Sequence, residues 1–166
     1  MTLNNTNGTI GLPITVNGYG PLCATGKPKI DNINIVTSSN ITLNSIELSV
    51  PTVGNSINIT TSSSITLSNN TLTNGSGVCM NISNSSVLSV NGNTFSGCNY
   101  AINLNQTNAV INSNMFSTIS QDAITLSGSM LVNITQNTFT NIAQNGILYN
   151  QSATISQNTF LNTCTT

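Results

Sequence analysis

The sequence has almost no charge. Lys27, Lys29, Asp31, Glu47 and Asp122 are the only charged side chains among 166 residues, and there is no histidine, arginine or tryptophan. Globular domains usually carry about 25% charged residues; here the share is 3%. Each absence excludes a class of function. Binding nucleic acid requires lysine and arginine in numbers to neutralise phosphates, so no nucleic-acid partner is expected. Without histidine or clustered carboxylates, zinc sites and Ser-His-Asp chemistry lack their parts. No apolar run reaches the roughly 18 residues of a membrane-spanning helix. The opening "MTLNNTNGTIG" has neither a basic start nor an apolar stretch, so no signal peptide is read there. Either a leader has been removed, or the chain leaves its cell by another route, such as inside a virion.

Asparagine, serine and threonine take the place of charge, yet 37% of the residues are hydrophobic and they are periodic. Disordered chains pair low hydrophobicity with high net charge, which is not this pattern. Leu48, Leu72, Phe95, Phe116, Phe139 and Phe160 follow one another at 24, 23, 21, 23 and 21 residues. Five positions before each stand Leu43, Leu67, Val90, Ile111, Ile134 and Ile155, and two earlier Ile41, Ile65, Leu88, Ala109, Val132 and Ala153. A further strand repeats Ile33, Ile57, Met80, Ile102, Ile124 and Ile147, with Ile35, Ile59, Ile82, Leu104, Leu126 and Tyr149 two residues on. Self-similarity at a constant period marks a solenoid. The local alternation, as in Ile102-Asn103-Leu104, marks strands with one buried face. Copies of about 22 residues, each with two or three short strands, predict an all-β fold of about six coils, stacked at the interstrand spacing of about 4.8 Å. Residues 31–166 form this solenoid; residues 1–30 are read as an N-terminal cap or docking segment.

The motif Asn-x-Phe belongs to the same register. Asn70, Asn93, Asn114, Asn137 and Asn158 each lie two residues before the Leu/Phe column. Asparagine tolerates the left-handed conformation a turn requires, and stacked asparagines can bond to one another as a ladder. Leu72, Phe95, Phe116, Phe139 and Phe160 are then expected to form one internal stack, and Tyr149 to point inward.

This pattern, from Asp31 to Phe160, resembles the right-handed parallel β-helix repeat of pectate-lyase-like proteins. The resemblance implies the fold and its hand. It does not choose a function, because that repeat serves lyases, hydrolases, adhesins and viral tailspikes alike. Family members that cleave polysaccharides use acidic clusters, often with calcium, together with arginine or lysine. Here Asp31 and Asp122 share a column but stand four coils apart, roughly 19 Å, whereas paired carboxylates for glycoside hydrolysis need about 5 to 9.5 Å. The cluster Lys27, Lys29, Asp31 and Glu47 reads as a solvated N-terminal end, with calcium on carbonyls near Asp31 the weaker alternative. No catalytic residue, cofactor or metal is expected.

The four cysteines, Cys23, Cys79, Cys98 and Cys164, show no Cys-x-x-Cys spacing, so neither zinc nor redox chemistry is indicated. Two states are open for Cys98, which takes the place of Ile119 and Ile142: a buried free thiol or a bridge to Cys79. Cys23 and Cys164 fall at opposite ends. Eleven Asn-x-Ser/Thr sequons, Asn40, Asn58, Asn81 and Asn133 among them, are close to what this composition gives by chance; several face outward, where glycans would fit.

These features favour a non-catalytic structural protein outside the cell or on a virion surface: a filament subunit, a capsid or spike component, or an adhesin. Its expected partner is a second copy stacked end to end, or another structural protein. Two alternatives stand beside it. One is a carbohydrate-binding or degenerate polysaccharide-active protein, for which Tyr19, Tyr100 and Tyr149 are the aromatic candidates. The other is an ice-binding protein, for which the outward columns Thr42, Thr66, Ser89, Val110, Asn133, Thr154 and Thr71, Thr94, Met115, Thr138, Thr159 are the candidates.

Overall fold

Period-two alternation with turns every few residues folds here into a three-walled coil. The structure, a computed structural model, describes residues 2–3, 14–17, 29–30, 32–50, 54–74, 76–128 and 131–163. The N-terminal segment supplies β1 (Thr2–Leu3), β2 (Ile14–Asn17) and β3 (Lys29–Ile30). Six coils of three strands follow. The first three are β4 (Ile33–Val36), β5 (Ser39–Asn44), β6 (Glu47–Val50); β7 (Asn55–Thr60), β8 (Ser63–Ser68), β9 (Thr71–Asn74); and β10 (Val78–Ser83), β11 (Ser86–Asn91), β12 (Thr94–Ser96). The last three are β13 (Tyr100–Asn105), β14 (Ala109–Asn112), β15 (Met115–Ile119); β16 (Ile124–Ser127), β17 (Val132–Thr135), β18 (Thr138–Ile142); and β19 (Ile147–Tyr149), β20 (Thr154–Ser156), β21 (Thr159–Thr163). No helix occurs among the described residues.

Every third strand joins the same sheet, so the described strands form three parallel sheets of seven. The pairing keeps the predicted columns in register: Met80 lies beside Ile57 and Ile102, Val90 beside Leu67 and Ile111, and Phe116 beside Phe95 and Phe139. The described strands of residues 1–30 extend the same three sheets beneath the first coil, with Ile14 opposite Ile41 and Lys29 opposite Glu47. Asp31, Lys27, Cys23, Tyr19 and Cys164, and with them the calcium alternative and the pairing of the terminal cysteines, lie outside the described residues.

The three corners explain the spacing. Each is a two-residue bend: one residue in the left-handed region, then one whose side chain turns inward. Expectation and structure differ at the asparagine corner. The left-handed residue is the one before the ladder position, which is Ile46 in the first coil and asparagine in the others: Ser45, Asn69, Gly92, Ser113, Gln136 and Gln157, with φ between 54° and 66°. In "QNTF" it is glutamine that bends the chain, which leaves the asparagine in an extended conformation with its amide inside. Non-glycine residues seldom adopt positive φ. Here the bend keeps the rungs bonded around the corner: the N–H of Asn69 donates to Asn91 O at 3.2 Å and that of Ser113 to Thr135 O at 3.2 Å.

The core is a stack of columns. Phe95, Phe116 and Phe139 are fully buried, and the four phenylalanine rings lie 4.7 to 5.0 Å apart with interplanar angles of 7° to 9°. Rings stacked so nearly parallel require coils that barely twist; a flat sheet is unusual unless stacking of this kind holds it. Gly146 makes room for the last ring, since a Cβ there would stand 2.5 Å from Phe160 Cε1. The final coil departs from the expected interior: Tyr149 is 53% exposed and Phe160 45%. Their register is the inward one, opposite Leu126 and Phe139, but no described residue covers the outer side of that coil.

Candidate functional site

Polar side chains inside the coil are the first place to look for chemistry, and the structure uses them to join coils. At the asparagine corner, the Oδ1 of each ladder residue accepts two bonds from the asparagine one coil earlier. Asn93 Oδ1 takes the N–H of Asn70 at 2.9 Å and its Nδ2 at 3.0 Å. Asn114 does the same for Asn93, Asn137 for Asn114 and Asn158 for Asn137, all within 2.8 to 3.0 Å. Each Nδ2 also donates back to a backbone carbonyl: Leu43, Leu67, Val90, Ile111 or Ile134. The ladder starts beneath Asn70, where Ile46 has no amide but still donates its N–H to Asn70 Oδ1 at 2.9 Å.

A second ladder, not read from the sequence, occupies the corner between the first two strands of the first four coils. Ser38 donates its N–H to Ser62 Oγ, Ser62 to Ser85 Oγ and Ser85 to Thr107 Oγ1, at 3.1, 3.1 and 3.4 Å. Each hydroxyl donates to the carbonyl two residues earlier, in Val36, Thr60, Ser83 and Asn105. All four are buried. The signal was present as hydroxyls at 24, 23 and 22 residues, but serine is so common here that the column does not stand out.

The third corner is apolar. There Cys98 follows the left-handed Gly97, in the column of Ile119 and Ile142, and is joined to Cys79 of β10 by a disulfide. The free-thiol alternative for Cys98 is thereby replaced. The bridge closes a single coil, 19 residues apart in sequence, and both cysteines are fully buried. The entropy of closing a loop this long corresponds to about 3 kcal/mol. Cys79→Ala/Cys98→Ala is expected to lose about that much stability in urea denaturation. Thiol labelling of the unfolded, unreduced parent should find the pair blocked; two reactive thiols at these positions would contradict the bridge.

Asp122 is 96% buried, with only 4% of its surface exposed, and its Oδ1 accepts the N–H of Asn145 at 3.0 Å and the Nδ2 at 2.8 Å. The same two-donor geometry as the ladder thus engages the one buried acid among the described residues. Glu47 stands on β6, three pairing steps below β15, the strand that Asp122 follows, an axial separation of roughly 14 Å or more. These two carboxylates cannot flank one glycosidic bond. Among the described residues no three histidine, cysteine or acidic side chains gather into a metal-sized group.

Clefts also mark the surface. One of ≈ 450 Å³ lies along the serine corner, lined by Asn84, Ser85, Ser86, Gln106, Asn108 and Gly128. Another, ≈ 300 Å³, is lined by Leu131, Val132, Asn133, Ser152, Ala153 and Thr154. Neither lining includes an aromatic or charged side chain. The sequons Asn58 and Asn81 have their amides engaged on the outer face, Asn58 Nδ2 with Asn34 Oδ1 and Asn81 Oδ1 with Asn103 Nδ2; Asn40 and Asn133 are exposed. Both candidate ice-binding columns are in register but are interrupted by exposed Val110 and Met115.

The surface that stands apart is the last coil. Tyr149, Ile155 and Phe160, on three inward columns, are 53%, 36% and 45% exposed, and Leu148 and Leu161 border them at 45% and 51%. One coil below, Leu126, Ile134 and Phe139 are buried.

Together, three parallel sheets wound into a coil and laddered internally by asparagine define a parallel β-solenoid. The chain belongs to the right-handed β-helix family: the family model described as "Right handed beta helix region" matches residues 27–162. The comparisons found no matching curated protein and no matching solved structure.

Proposed function

We propose that this chain is a non-catalytic structural protein, a component of a filament, spike or surface adhesin, that docks end-on onto another structural protein through its last coil. One observation carries the reading: among the described residues, nothing covers three core columns and three strand edges of the final coil. Uncovered parallel edges invite a further strand, and solenoid ends ordinarily carry a cap. The asparagine and serine ladders join coil to coil, which supports a mechanical rather than a chemical task. The buried Cys79–Cys98 bridge supports an oxidising setting, extracellular or on a particle surface.

Incubation with a panel of plant, algal and bacterial polysaccharides, read by release of reducing ends and of unsaturated products, tests the non-catalytic part. No turnover is expected. Turnover abolished by Asp122→Asn with the fold intact would replace this reading with a polysaccharide-active one.

A further inference from the structure

The wall that contains β14, β17 and β20 holds one asparagine between exposed apolar side chains. Alternation on β17 buries Val132 and Ile134 and turns Asn133 outward. Val110 is its direct neighbour one coil below and Thr154 one coil above, each about 4.8 Å away. Leu131 stands two residues earlier, about 7 Å along the strand. Val110 is 45% exposed and Leu131 74%, the most of any large hydrophobic among the described residues. Leu131 is not exposed for want of anchoring. Its N–H donates to Asn108 Oδ1 at 3.1 Å, and its carbonyl accepts the N–H of Ala109 at 3.0 Å. The backbone therefore holds this side chain out in water, beside a cleft of ≈ 300 Å³ that Leu131, Asn133 and Thr154 line.

Asn133 opens the sequon Asn133-Ile134-Thr135, and its surroundings set it apart from other sequons. Asn58 and Asn81 also lie on an outer face, but each is bonded to the asparagine of a neighbouring coil, so a sugar there would crowd a bonded column. Asn84 is exposed, yet its cleft is lined by polar side chains and Gly128 and offers a sugar no apolar surface. The Asn133 amide is exposed, no hydrogen bond holds it among the described residues, and apolar side chains flank it.

We propose that Asn133 is an N-glycosylation site and that the first sugar of its glycan, an N-acetylhexosamine, lies over Leu131 and Val110. The transfer joins Nδ2 of Asn133 to C1 of a sugar carried on a lipid diphosphate. The C1–O bond to the diphosphate breaks, the lipid diphosphate leaves with the electron pair, and the amide gives up one proton. A sugar ring has C–H groups on one face and, here, an acetyl methyl; laid on Leu131 these remove apolar surface from water, while the hydroxyls stay hydrated. A glycan on an outward strand position also adds bulk and solubility to a surface almost without charge. The Cys79–Cys98 bridge supports the oxidising setting that such a transfer shares. The site has only that setting in common with the proposed function and is independent of end docking.

In the test, the full chain is secreted from a eukaryotic cell line behind a cleavable leader. The folded product is treated with a glycan-removing amidase in heavy-oxygen water, so that mass spectrometry reads each former glycan site as a labelled aspartate. Asn133 is expected to be labelled, and Asn58 and Asn81 not. Hydroxyl-radical footprinting then follows Leu131 in three forms: glycan intact, trimmed to its first sugar, and removed. Met115, 53% exposed on another wall, is the reference. Oxidation of Leu131 is expected to be slow in the first two forms and to rise severalfold in the third, with Met115 unchanged. An unlabelled Asn133 would overturn the proposal. So would a labelled Asn133 with Leu131 oxidised equally in all three forms, or with protection lost on trimming, since the first sugar would then lie away from the patch. The polysaccharide assay does not bear on these outcomes, so the glycan site and the non-catalytic reading can fail separately.

Discussion

Phe116→Ala is expected to lower stability by about 3–5 kcal/mol, the range for truncating a buried aromatic side chain. The ring is fully buried and stacked on both sides, 5.0 Å from Phe95 and 4.8 Å from Phe139. Its neighbours belong to other coils, each held by its own ladders, so the space cannot close without breaking strand pairing. Phe116→Leu is the control. Leu48 and Leu72 occupy the same column and are fully buried, so leucine fits the coil and should recover most of the loss. Urea denaturation of the pair gives the comparison; an alanine cost below about 1 kcal/mol would mean that the ring is not enclosed.

The second large effect belongs to the ladder. Asn114→Leu is close in volume but removes an acceptor from Asn93 N–H and Nδ2 and a donor from Val90 O. Asn93 Nδ2 retains Leu67 O, whereas the buried N–H of Asn93 is left without its acceptor. Each buried group orphaned in this way costs about 1–3 kcal/mol, so a loss of roughly 2–6 kcal/mol is expected. Exchange of the Asn93 amide should accelerate out of proportion to that of Leu67 or Ile111 in the walls. A neutral result in denaturation, with Asn93 still protected, would show that the ladder contributes little.

The scarcity of charge has a physical account in this geometry. Parallel strands in register place each outward side chain beside its counterpart on the next coil, about 4.8 Å away. A column of like charges at that spacing repels by roughly 1 to 4 kcal/mol per pair, depending on how well water screens it. Amides and hydroxyls bond at the same distance, as Asn112 does with Asn91, and Thr135 with Asn112. A composition rich in asparagine, serine and threonine is what a solenoid with identical neighbours favours. Lys29 and Glu47, of opposite charge, stand directly across strands, the arrangement such a register tolerates.

The repeat, its register and the core columns were legible in the sequence because each is a local pattern copied six times. Ile41, Leu43 and Leu48 have counterparts at the same offsets in every coil, and a column with no exceptions of polarity leaves no choice of face. The asparagine column was legible for the same reason, since Asn137 and Phe139 keep their spacing through the chain. Which residue bends the backbone was not. Gln136 and Ser113 take the left-handed conformation and the adjacent asparagines do not. Intrinsic preference favours asparagine for that role; the ladder overrules it by requiring the asparagine amide inside.

The sequence by itself determined that this chain is a stack of parallel coils, because period-two alternation repeated at a near-constant interval has one low-energy solution, columns of like on like. Three things were decided only by tertiary structure. The serine ladder exists because the coil brings Ser38, Ser62, Ser85 and Thr107 to one corner, and among so many serines no spacing singles them out. The Cys79–Cys98 bridge exists because one turn of the coil returns the chain to its own start, with the two Cα atoms 5.8 Å apart. The exposure of Tyr149 and Phe160 follows from position: both have the register of a core residue, but burial requires a neighbour on each side, and among the described residues these two have a neighbour on one.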